Sequence, residues 1–387
     1  MRLAPRPLAH RLPRRPPGAP TPDTAKGPPA MRRDLLCCLT VTLVACAGEP
    51  KPAAEGAGTD TPAPPVDELA YVTNEDSNDL TVIAVASDSV VGTIPVGRRP
   101  RGVRVAADGR TVFVALSGSP KCPPTMPDEE CEKLVADKSA DGIAVVDAAT
   151  RAVTRVLPGG SDPETFDVSA DGTRLFVSNE DAGTASVVDV AQGTILSTVQ
   201  VGREPEGVRL HPSGETVWVT GETDHDVTVL STATGQKTGR IVVGRRPRDL
   251  AFSPDGARAY VTSEMDGKIF VVDTKALTVL STIALPEGSR PMGIVISKDG
   301  TRGFVANGRG ATVSEFDPAS GAVRATVPAG TRPWGLALSG DGTKLYAANG
   351  PSNDVSVFAT DSLRELRRIP AGKVPWGVAI GPARATP

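Results

Sequence analysis

Short apolar runs alternate with polar turns along most of this chain, and one run led by an aromatic residue recurs at nearly constant spacing. The first copy is Tyr71-Val72-Thr73-Asn74, and the later copies begin at Phe113, Phe176, Trp218, Tyr260, Phe304 and Tyr346. The intervals are 42, 63, 42, 42, 44 and 42 residues, so one step carries an insertion of 21 residues, the difference between 63 and 42. A period of this length is typical of a repeat array.

Each repeat predicts four short β-strands separated by Gly, Pro, Asp and Asn. A Pro-x-Gly element with an apolar run, as at residues 207–210, comes first, and a turn and the aromatic run follow. A Val-rich run such as 187–190 and a segment such as 194–201 complete the unit. The Asp-Gly pair in five of the turns supplies the positive φ of a two-residue hairpin. The aromatic residue that opens each second strand suits a position packed between neighbouring sheets.

Four-stranded units of this period indicate a β-propeller, because stacked blades cover each other's faces. No stretch after residue 66 sustains a helical period. The aromatic strand at Tyr71 has no Pro-x-Gly strand before it, and the chain ends on such a strand at 375–380 with no aromatic strand after it. The two halves make one blade. The sequence therefore predicts an all-β fold over residues 67–382, a seven-bladed β-propeller of four-stranded antiparallel blades whose ring is closed by the C-terminal strand.

A family resemblance supports this fold. Residues 71–74 and 260–263, with Pro-x-Gly and Ser-Pro-Asp-Gly elements at constant offsets, resemble the YVTN β-propeller repeats of secreted bacterial and archaeal proteins. The resemblance covers roughly residues 69–382 and implies the fold. It implies no catalytic motif, since the same fold hosts binding proteins, hydrolases and oxidoreductases.

The segment before the repeats indicates export. Residues 1–30 are rich in Pro and Arg, so we expect a disordered leader or an artefact of start-codon assignment, with Met31 as the true start. Residues 31–46 predict a signal peptide that ends on Leu43-Val44-Ala45-Cys46, which is similar to a bacterial lipobox. We expect lipidation at Cys46, a flexible linker over 47–66, and a membrane contact through the lipid anchor only. Ala47 is not the Asp of inner-membrane retention, which favours the outer membrane.

Cysteine usage agrees with an oxidising compartment. Only Cys122 and Cys131 follow the leader and linker, and both lie in the insertion loop, residues 117–140. This Pro-rich loop has few large apolar residues, so a disulfide between them is our prediction. A metal site and free thiols are the alternatives, and two thiols without a nearby His are a poor zinc set.

Strand order places two kinds of loop on one face of the ring, with Pro-x-Gly strands innermost. These are the loops that lead into the inner strands and the loops that follow the aromatic strands, and the insertion loop belongs with them. The residue before the inner-strand proline is charged in six blades: Arg99, Asp162, Glu204, Arg246, Arg290 and Arg332. Varied charged loops opposite short repetitive turns indicate a binding surface.

The residue between Pro and Gly is expected to line the channel mouth. Around the ring this position holds Trp376, Arg101, Glu164, Glu206, Arg248, Met292 and Trp334. With Arg99, Arg246, Arg290 and Arg332, these residues are our candidate ligand site, suited to a small amphipathic ligand or a peptide. The simpler alternatives are that the two Trp rings plug the channel and that the charges form solvated ion pairs, and we prefer the plug.

Catalytic motifs are scarce. His211 and His225 are the only histidines in the propeller, and we predict no cofactor, no metal and a monomer. A formal net charge of −3 argues against nucleic acid as a partner. Our first hypothesis is a non-catalytic cell-envelope scaffold whose loop face binds a protein, a glycan or a small molecule. The alternative is a hydrolase that resembles propeller lactonases, with Glu206, His225, Arg246 and Arg290 as its site.

Overall fold

The computed structural model describes residues 67–121, 127–131 and 133–383. Within these ranges, 28 strands form seven four-stranded antiparallel sheets, which confirms the predicted seven-bladed β-propeller. The predicted leader, signal peptide, Cys46 lipidation site and linker lie outside the described residues. So does Cys122, and the predicted disulfide with Cys131 stays a prediction.

Each blade contains four consecutive strands, except that the last strand of the chain returns to the first blade. Blades 1 to 3 comprise β1 (Glu68–Asn74), β2 (Asp79–Ala84), β3 (Ser89–Pro95); β4 (Val103–Val105), β5 (Thr111–Leu116), β6 (Gly142–Asp147), β7 (Ala152–Leu157); β8 (Pro163–Val168), β9 (Arg174–Asn179), β10 (Thr184–Asp189), β11 (Thr194–Gln200). Blades 4 and 5 comprise β12 (Pro205–Leu210), β13 (Thr216–Gly221), β14 (Asp226–Ser231), β15 (Lys237–Val242); β16 (Pro247–Phe252), β17 (Arg258–Ser263), β18 (Lys268–Asp273), β19 (Thr278–Ala284). Blades 6 and 7 comprise β20 (Pro291–Ile296), β21 (Gly303–Asn307), β22 (Thr312–Phe316), β23 (Val323–Pro328); β24 (Pro333–Leu338), β25 (Lys344–Asn349), β26 (Asp354–Ala359), β27 (Glu365–Pro370), and β28 (Pro375–Pro382) completes blade 1.

Helical structure is confined to short segments in the described ranges. A single helix, α1 (Asp128–Cys131), lies in the insertion loop, and 3₁₀ turns occupy Lys138–Ala140 and Gly308–Gly310. None of the helices in residues 67–121, 127–131 and 133–383 is long and apolar enough to cross a membrane.

The ring closes as the sequence predicts. Strand β28 pairs antiparallel with β1, with Ala70 opposite Ile380 and Val72 opposite Val378. The inner strands β28, β4, β8, β12, β16, β20 and β24 each contact the next around the ring and line the channel. The two ends of the propeller are therefore held together by one sheet.

Glycine in the Pro-x-Gly element allows the inner strands to approach closely. A Cβ on Gly207 would lie 2.6 Å from the carbonyl O of Arg248, and one on Gly377 would lie 2.6 Å from that of Arg101. Both distances are below van der Waals contact, so five blades keep glycine here. Blades 3 and 5 have Thr165 and Asp249 instead.

The aromatic residues of the recurring motif form the walls between blades. Tyr71 packs with Val103 and Val112 of the next blade, and Tyr346 of blade 7 packs with Val72 of blade 1. All seven are at most 2 % exposed: Tyr71, Phe113, Phe176, Trp218, Tyr260, Phe304 and Tyr346. Their recurrence therefore reports packing, as predicted.

The Asp-Gly turns have the predicted positive φ but not the predicted length. Gly256 has φ 70°, yet Ser253 N donates to Arg258 O at 2.9 Å, which leaves four residues in the loop. Asp255 explains the difference, because its carboxylate accepts the N–H of Ala257 and the hydroxyl of Ser253. Such side-chain acceptors favour a longer turn that ends in a left-handed glycine over a two-residue hairpin.

Candidate active site at the channel mouth

A repeated loop contact brings the two loop types together at the mouth. The residue before the inner-strand proline is left-handed in six blades, with φ between 44° and 56°: Arg99, Asp162, Glu204, Arg246, Arg332 and Val374. In five of these blades its carbonyl accepts the N–H of the residue after the aromatic strand, as in Glu222 N to Glu204 O and Glu264 N to Arg246 O, both 2.9 Å. In blade 2 the acceptor is the carbonyl of Arg98 instead. A left-handed non-glycine residue costs about 1–2 kcal/mol, and this hydrogen bond offsets part of that cost.

The contact creates a ring of glutamates that the sequence analysis did not single out as a site. These residues directly follow the aromatic strands of blades 1, 3, 4 and 5: Glu75, Glu180, Glu222 and Glu264. Glu75, Glu222 and Glu264 are at most 5 % exposed. These side chains are therefore not solvated, because Arg248 contacts Glu222 and Glu264, and Arg99 and Lys121 contact Glu75. The sequence feature that could have identified them is their shared position, directly after the aromatic strand in four blades.

Arg248 is the centre of the first charged cluster. Its guanidinium contacts Glu206 of the neighbouring inner strand, Glu222 at 2.5 Å and Glu264 at 2.7 Å. Arg246 contacts the same Glu222, and its Nε lies 3.7 Å from Glu264. Three carboxylates thus share two guanidinium groups in a largely buried setting.

Arg101 is the centre of a second, similar cluster in blades 2 and 3. It contacts Asp162 and Glu164, and its Nη1 lies 2.9 Å from Glu180. Glu164 and Glu206 occupy adjacent inner strands, so the two clusters form one charged arc over blades 2 to 5.

The carboxyls of this arc have their pKa values pushed apart. Burial raises the pKa of Glu206 well above its usual range despite Arg248, and a hydrogen bond with Glu222 adds to the shift. Burial likewise raises the pKa of Glu164 well above normal. For Glu180 burial acts in the same direction, but the charge of Arg101, the hydrogen bonds with Glu164 and Arg101 and the charge of Arg248 together outweigh it and lower the pKa to about 2. Neighbouring carboxyls with divergent pKa values are a feature of acid–base catalytic sites.

The other predicted charged residues are dispersed. Arg99 pairs with Glu75 at 2.9 Å. Arg290 Nη1 lies 3.3 Å from the carbonyl O of Met265 and contacts neither Glu206 nor Arg246. His225 Nδ1 lies 2.9 Å from the carbonyl O of Glu222, which places the imidazole beside the loop backbone. The structure therefore unites Glu206 with Arg246 through Glu222, and leaves Arg290 apart.

Blades 6, 7 and 1 supply the apolar part of the mouth. Trp334 and Trp376 meet edge to face with centroids 5.3 Å apart, and Met292 is buried beside Trp334. Arg332 lies over Trp334, with its Cζ 4.8 Å from the ring centroid. Within the described residues Arg332 has no carboxylate partner, and burial together with the charge of Arg248 lowers its pKa.

Both tryptophans line a channel cavity of about 630 Å³, a volume that includes its opening to solvent. Glu206, Arg248 and Met292 also line it, so five of the seven predicted mouth residues share one pocket, which Arg101 and Glu164 do not line. The two rings border this space, and the preferred plug interpretation stays a prediction.

The cavity also contains residues that the sequence analysis missed. Asp249 takes the glycine position of the Pro-x-Gly element, and it lines the cavity with Arg104 and Arg209. The replacement of glycine by Asp249 in the inner strand of blade 5 is the sequence feature that could have predicted this site. Arg104 and Arg209 look like ordinary strand residues in the sequence. Among the residues that the structure describes, no group of His, Cys, Asp and Glu is arranged to hold a metal ion.

The described part of the insertion loop lies on the predicted face. Lys121 Nζ is 2.8 Å from Glu75 and 2.6 Å from Asp76 of blade 1. Lys138 Nζ is 2.8 Å from Ser119 and also contacts Asp181 of blade 3. The loop therefore bridges the rim on both sides of blade 2.

Sequence comparison finds two protein-family models that match parts of this chain. Residues 234–378 match a family model described as lactonase, 7-bladed beta-propeller. That region contains Arg246, Arg248, Trp334 and Trp376. Residues 126–214 match a second model, a YNCE-like beta-propeller. No curated protein sequence is a significant match.

Solved structures share the fold at low identity. A candidate 6-phosphogluconolactonase from Bacteroides uniformis has a TM-score of 0.66 and 19 % identity, over 81 % of this chain and 99 % of that one. A second one, from Bacteroides fragilis, has a TM-score of 0.67 and 16 % identity, over 84 % and 99 %. Hydrazine synthase from Kuenenia stuttgartiensis has a TM-score of 0.62 and 22 % identity, over 72 % and 89 %. These likenesses establish the propeller and nothing more specific.

The lactonase match corrects our first functional hypothesis. A non-catalytic envelope scaffold is contradicted by it, and the alternative of a lactonase-like hydrolase is favoured. The buried arginine and carboxylate clusters at the mouth agree with that direction.

Proposed function

We propose that this protein is a hydrolase that opens lactones at the channel mouth, with Glu206 as its acid–base group. The observation that carries the proposal is the setting of Glu206. It is a buried carboxyl that lines the channel cavity, contacts Arg248, and has its pKa raised well above normal by burial. A carboxyl whose pKa approaches the operating pH both accepts and returns a proton readily.

We assign to Arg332 the role of binding the carbonyl oxygen of the lactone. A guanidinium without a carboxylate partner among the described residues has donors to offer, whereas those of Arg248 are taken by Glu206, Glu222 and Glu264. Arg332 is close enough to Arg248 for the two charges to repel each other. Its stacking on Trp334, which lines the cavity with Glu206, restricts its orientation.

The reaction then needs one carboxyl and one cation. Glu206 takes a proton from water while the water oxygen attacks the lactone carbonyl carbon. Arg332 stabilises the oxyanion that forms on the carbonyl oxygen. When the ring C–O bond breaks, Glu206 returns its proton to the ring oxygen, which leaves as the hydroxyl of a hydroxy acid. The enzyme ends in its starting protonation state, and one water is consumed.

A panel of lactones tests the proposal. The purified protein should hydrolyse at least one substrate from a set of γ-lactones, δ-lactones and 6-phosphogluconolactone. Glu206→Gln should lower kcat by about 100-fold or more, because general acid–base catalysis contributes roughly 10²–10⁴-fold. Turnover that survives unchanged in Glu206→Gln would contradict the assignment.

Glu315→Gln is the matched control for this variant. Its side chain is 8 % exposed against 10 % for Glu206, and it too contacts arginines, Arg302 and Arg324. Glu315 lies in blade 6, near the short turns of the opposite face. The control should keep full turnover while it loses a comparable amount of stability.

Arg332→Gln tests the second assignment. It should lower kcat/KM by about 10²–10³-fold, as loss of an oxyanion donor does, with little change in the melting temperature. A loss of stability with unchanged turnover would instead mean that Arg332 only packs against Trp334.

We also propose that the enzyme works outside the cytoplasm, as an exported lipoprotein with YVTN-type repeats. The proposal rests on the lipobox-like sequence that ends at Cys46 and on the repeat motifs. Cys46→Ser should abolish incorporation of labelled palmitate in a bacterial host and release the protein from membranes. Palmitate incorporation that persists in Cys46→Ser would contradict it.

A further inference from the structure

The channel of this propeller has two unlike walls. Blades 2 to 5 are charged at the mouth, and blades 2 to 4 stay charged one layer deeper, at Arg104, Asp167 and Arg209. Blade 5 has Ala251 in that layer and carries Asp249 at the glycine position of the Pro-x-Gly element. Blades 6, 7 and 1 carry Met292, Trp334 and Trp376 at the mouth and Val295, Ala337 and Ala379 in the deeper layer. A ligand in this channel would therefore meet charge on one side and apolar surface on the other.

The deeper charged residues form a cluster of their own. Arg209 Nη2 donates to Asp249 at 2.8 Å, and Arg104 Nε donates to Asp167 at 3.3 Å. Strand β20 adds the backbone N–H of Ile294, 3.4 Å from Asp249. On the mouth side, Arg248 and Glu206 line the same cavity. Two arginines and two aspartates from four successive blades thus form two neighbouring ion pairs beside the cavity.

Two hydrogen-bond donors on the lining of this cavity are unused. Arg104 Nη2 and Trp334 Nε1 are buried, and neither has an acceptor within the described ranges. One donor belongs to the charged wall and the other to the apolar wall. Buried donors without acceptors are costly, so a pair of them on one cavity points to a ligand that accepts both.

Asp249 is the residue that departs from the repeat. Glycine occupies its position in five blades, where it lets the inner strands approach. Asp249 instead places a carboxyl that is 15 % exposed beside the cavity. Burial raises its pKa to about 7, with Asp167 adding to the shift and Arg104 opposing it. Its carboxyl accepts hydrogen bonds from Arg209 and from the backbone N–H groups of Leu250 and Ile294, which hold it at the cavity wall.

We propose that Arg104, Asp249 and Trp334 form an organic-acid site in the channel, which holds the carboxylate of a small, partly apolar acid. Arg104 and Trp334 donate hydrogen bonds to the carboxylate, and Asp249 binds it in its protonated form. The carbon body of the acid packs on the wall of Met292 and Trp376.

The charge of the cluster selects a monoanion. With Asp249 protonated, two arginines face one ionised aspartate, Asp167, and the cluster carries one net positive charge. A carboxylate neutralises that charge, whereas a phosphate or phosphonate dianion exceeds it. Binding therefore takes up a proton whenever Asp249 is ionised beforehand.

The proposed reaction would supply such a ligand. Hydrolysis of a lactone creates a hydroxy acid, whose carboxylate is formed in the same cavity. This link rests on the proposed function, but the site itself does not require turnover. Ligand binding therefore tests it separately.

The binding test uses phenylacetate as the probe, with phenylacetamide as its neutral isostere and phenylphosphonate as a dianion. The readouts are calorimetry and tryptophan fluorescence, since two of the three tryptophans line the cavity. Phenylacetate should bind one site, and about tenfold more tightly at about pH 6 than at about pH 8, because protonation of Asp249 is required. Calorimetry in buffers of different ionisation enthalpy should show uptake of close to one proton at the higher pH.

Variants separate the roles of the two charged residues. Arg104→Gln should weaken phenylacetate at least about tenfold, as loss of a charge-assisted hydrogen bond does. Asp249→Asn keeps a donor that cannot ionise, so it should bind equally well at both pH values without proton uptake. Arg302→Gln and Asp88→Asn are the matched controls, with side chains 22 % and 13 % exposed against 23 % and 15 % for Arg104 and Asp249.

Three results would overturn the proposal. The first is no binding of phenylacetate, and the second is equal or tighter binding of phenylacetamide or phenylphosphonate. The third is an Arg104→Gln affinity equal to that of Arg302→Gln. An inactive protein that still binds phenylacetate with proton uptake would reject the hydrolase and keep the organic-acid site.

Discussion

At the scale of single residues, the proposed mechanism depends on buried carboxyls that outnumber the guanidinium groups beside them. Two guanidinium groups, Arg246 and Arg248, face Glu206, Glu222 and Glu264. Full ionisation would leave one charge uncompensated, so burial keeps a proton on Glu206 well above its usual pKa. The site therefore holds, at a cost in stability, a carboxyl whose pKa burial raises well above its usual range.

Asp249→Gly is the residue-scale prediction, because it restores the repeat. The folded-state pKa of about 7 exceeds the usual 3.8, so the folded protein binds more protons between these values and loses stability as pH rises through them. The slope from Asp249 is up to about 1.4 kcal/mol per pH unit. The variant should therefore lose less stability than the parent between about pH 4 and pH 8, as measured by urea unfolding. An identical pH dependence in the two proteins would contradict the raised pKa.

Sequence reasoning predicted part of the site at this scale. Five of the seven residues between Pro and Gly line the channel cavity, at a position that follows from strand order alone. The ion-pair partners were not predictable, because they depend on left-handed residues such as Glu204 and Arg246 that turn the following loops inward. The role of Asp249 was not predictable either, because the repeat does not reveal how deep in the channel a residue lies.

At the scale of elements, the inner strand is the unit that both builds the ring and carries the site. Strand β28 joins the chain ends through its ladder with β1, and it also contributes Trp376 to the cavity. Closure of the ring and completion of the site are therefore coupled.

Deletion of residues 374–387 tests the closure. Without β28, blade 1 loses its inner strand, and the contacts with β24 and β4 are lost as well. The truncated protein should lose cooperative thermal unfolding. Truncation after Ala383 is the control, because it retains the whole of β28. A melting temperature equal to that of the full chain in the longer deletion would contradict a closed ring.

The insertion loop carries the other element-scale prediction. A disulfide between Cys122 and Cys131 would close a segment that otherwise holds the rim through Lys121 and Lys138. Mass spectrometry of the oxidised, exported protein should find a peptide pair joined through these residues, which separates on reduction. Alkylation of both thiols without prior reduction would contradict the disulfide.

At the scale of the whole molecule, the repeat supplies a uniform scaffold and the departures from it supply the chemistry. Blade number, strand order and ring closure follow from the period of the aromatic motif, so the fold was predictable in full. The function was not predictable from the sequence, because ion pairs on the rim of a protein are usually solvated and do not indicate a functional site. Burial of the Arg101 and Arg248 clusters, with the lactonase match, changed that interpretation.

The pH dependence of kcat/KM for a lactone substrate shows whether Glu206 is the group that takes the proton from water. Glu206 must be ionised to take the proton from water, so kcat/KM should rise with pH through an inflection well above the usual glutamate pKa of 4.5. Glu315→Gln should keep this inflection, whereas Glu206→Gln should lose both the inflection and most of the rate. A profile that is flat over the same range, or an inflection that persists in Glu206→Gln, would contradict a hydrolase built on Glu206.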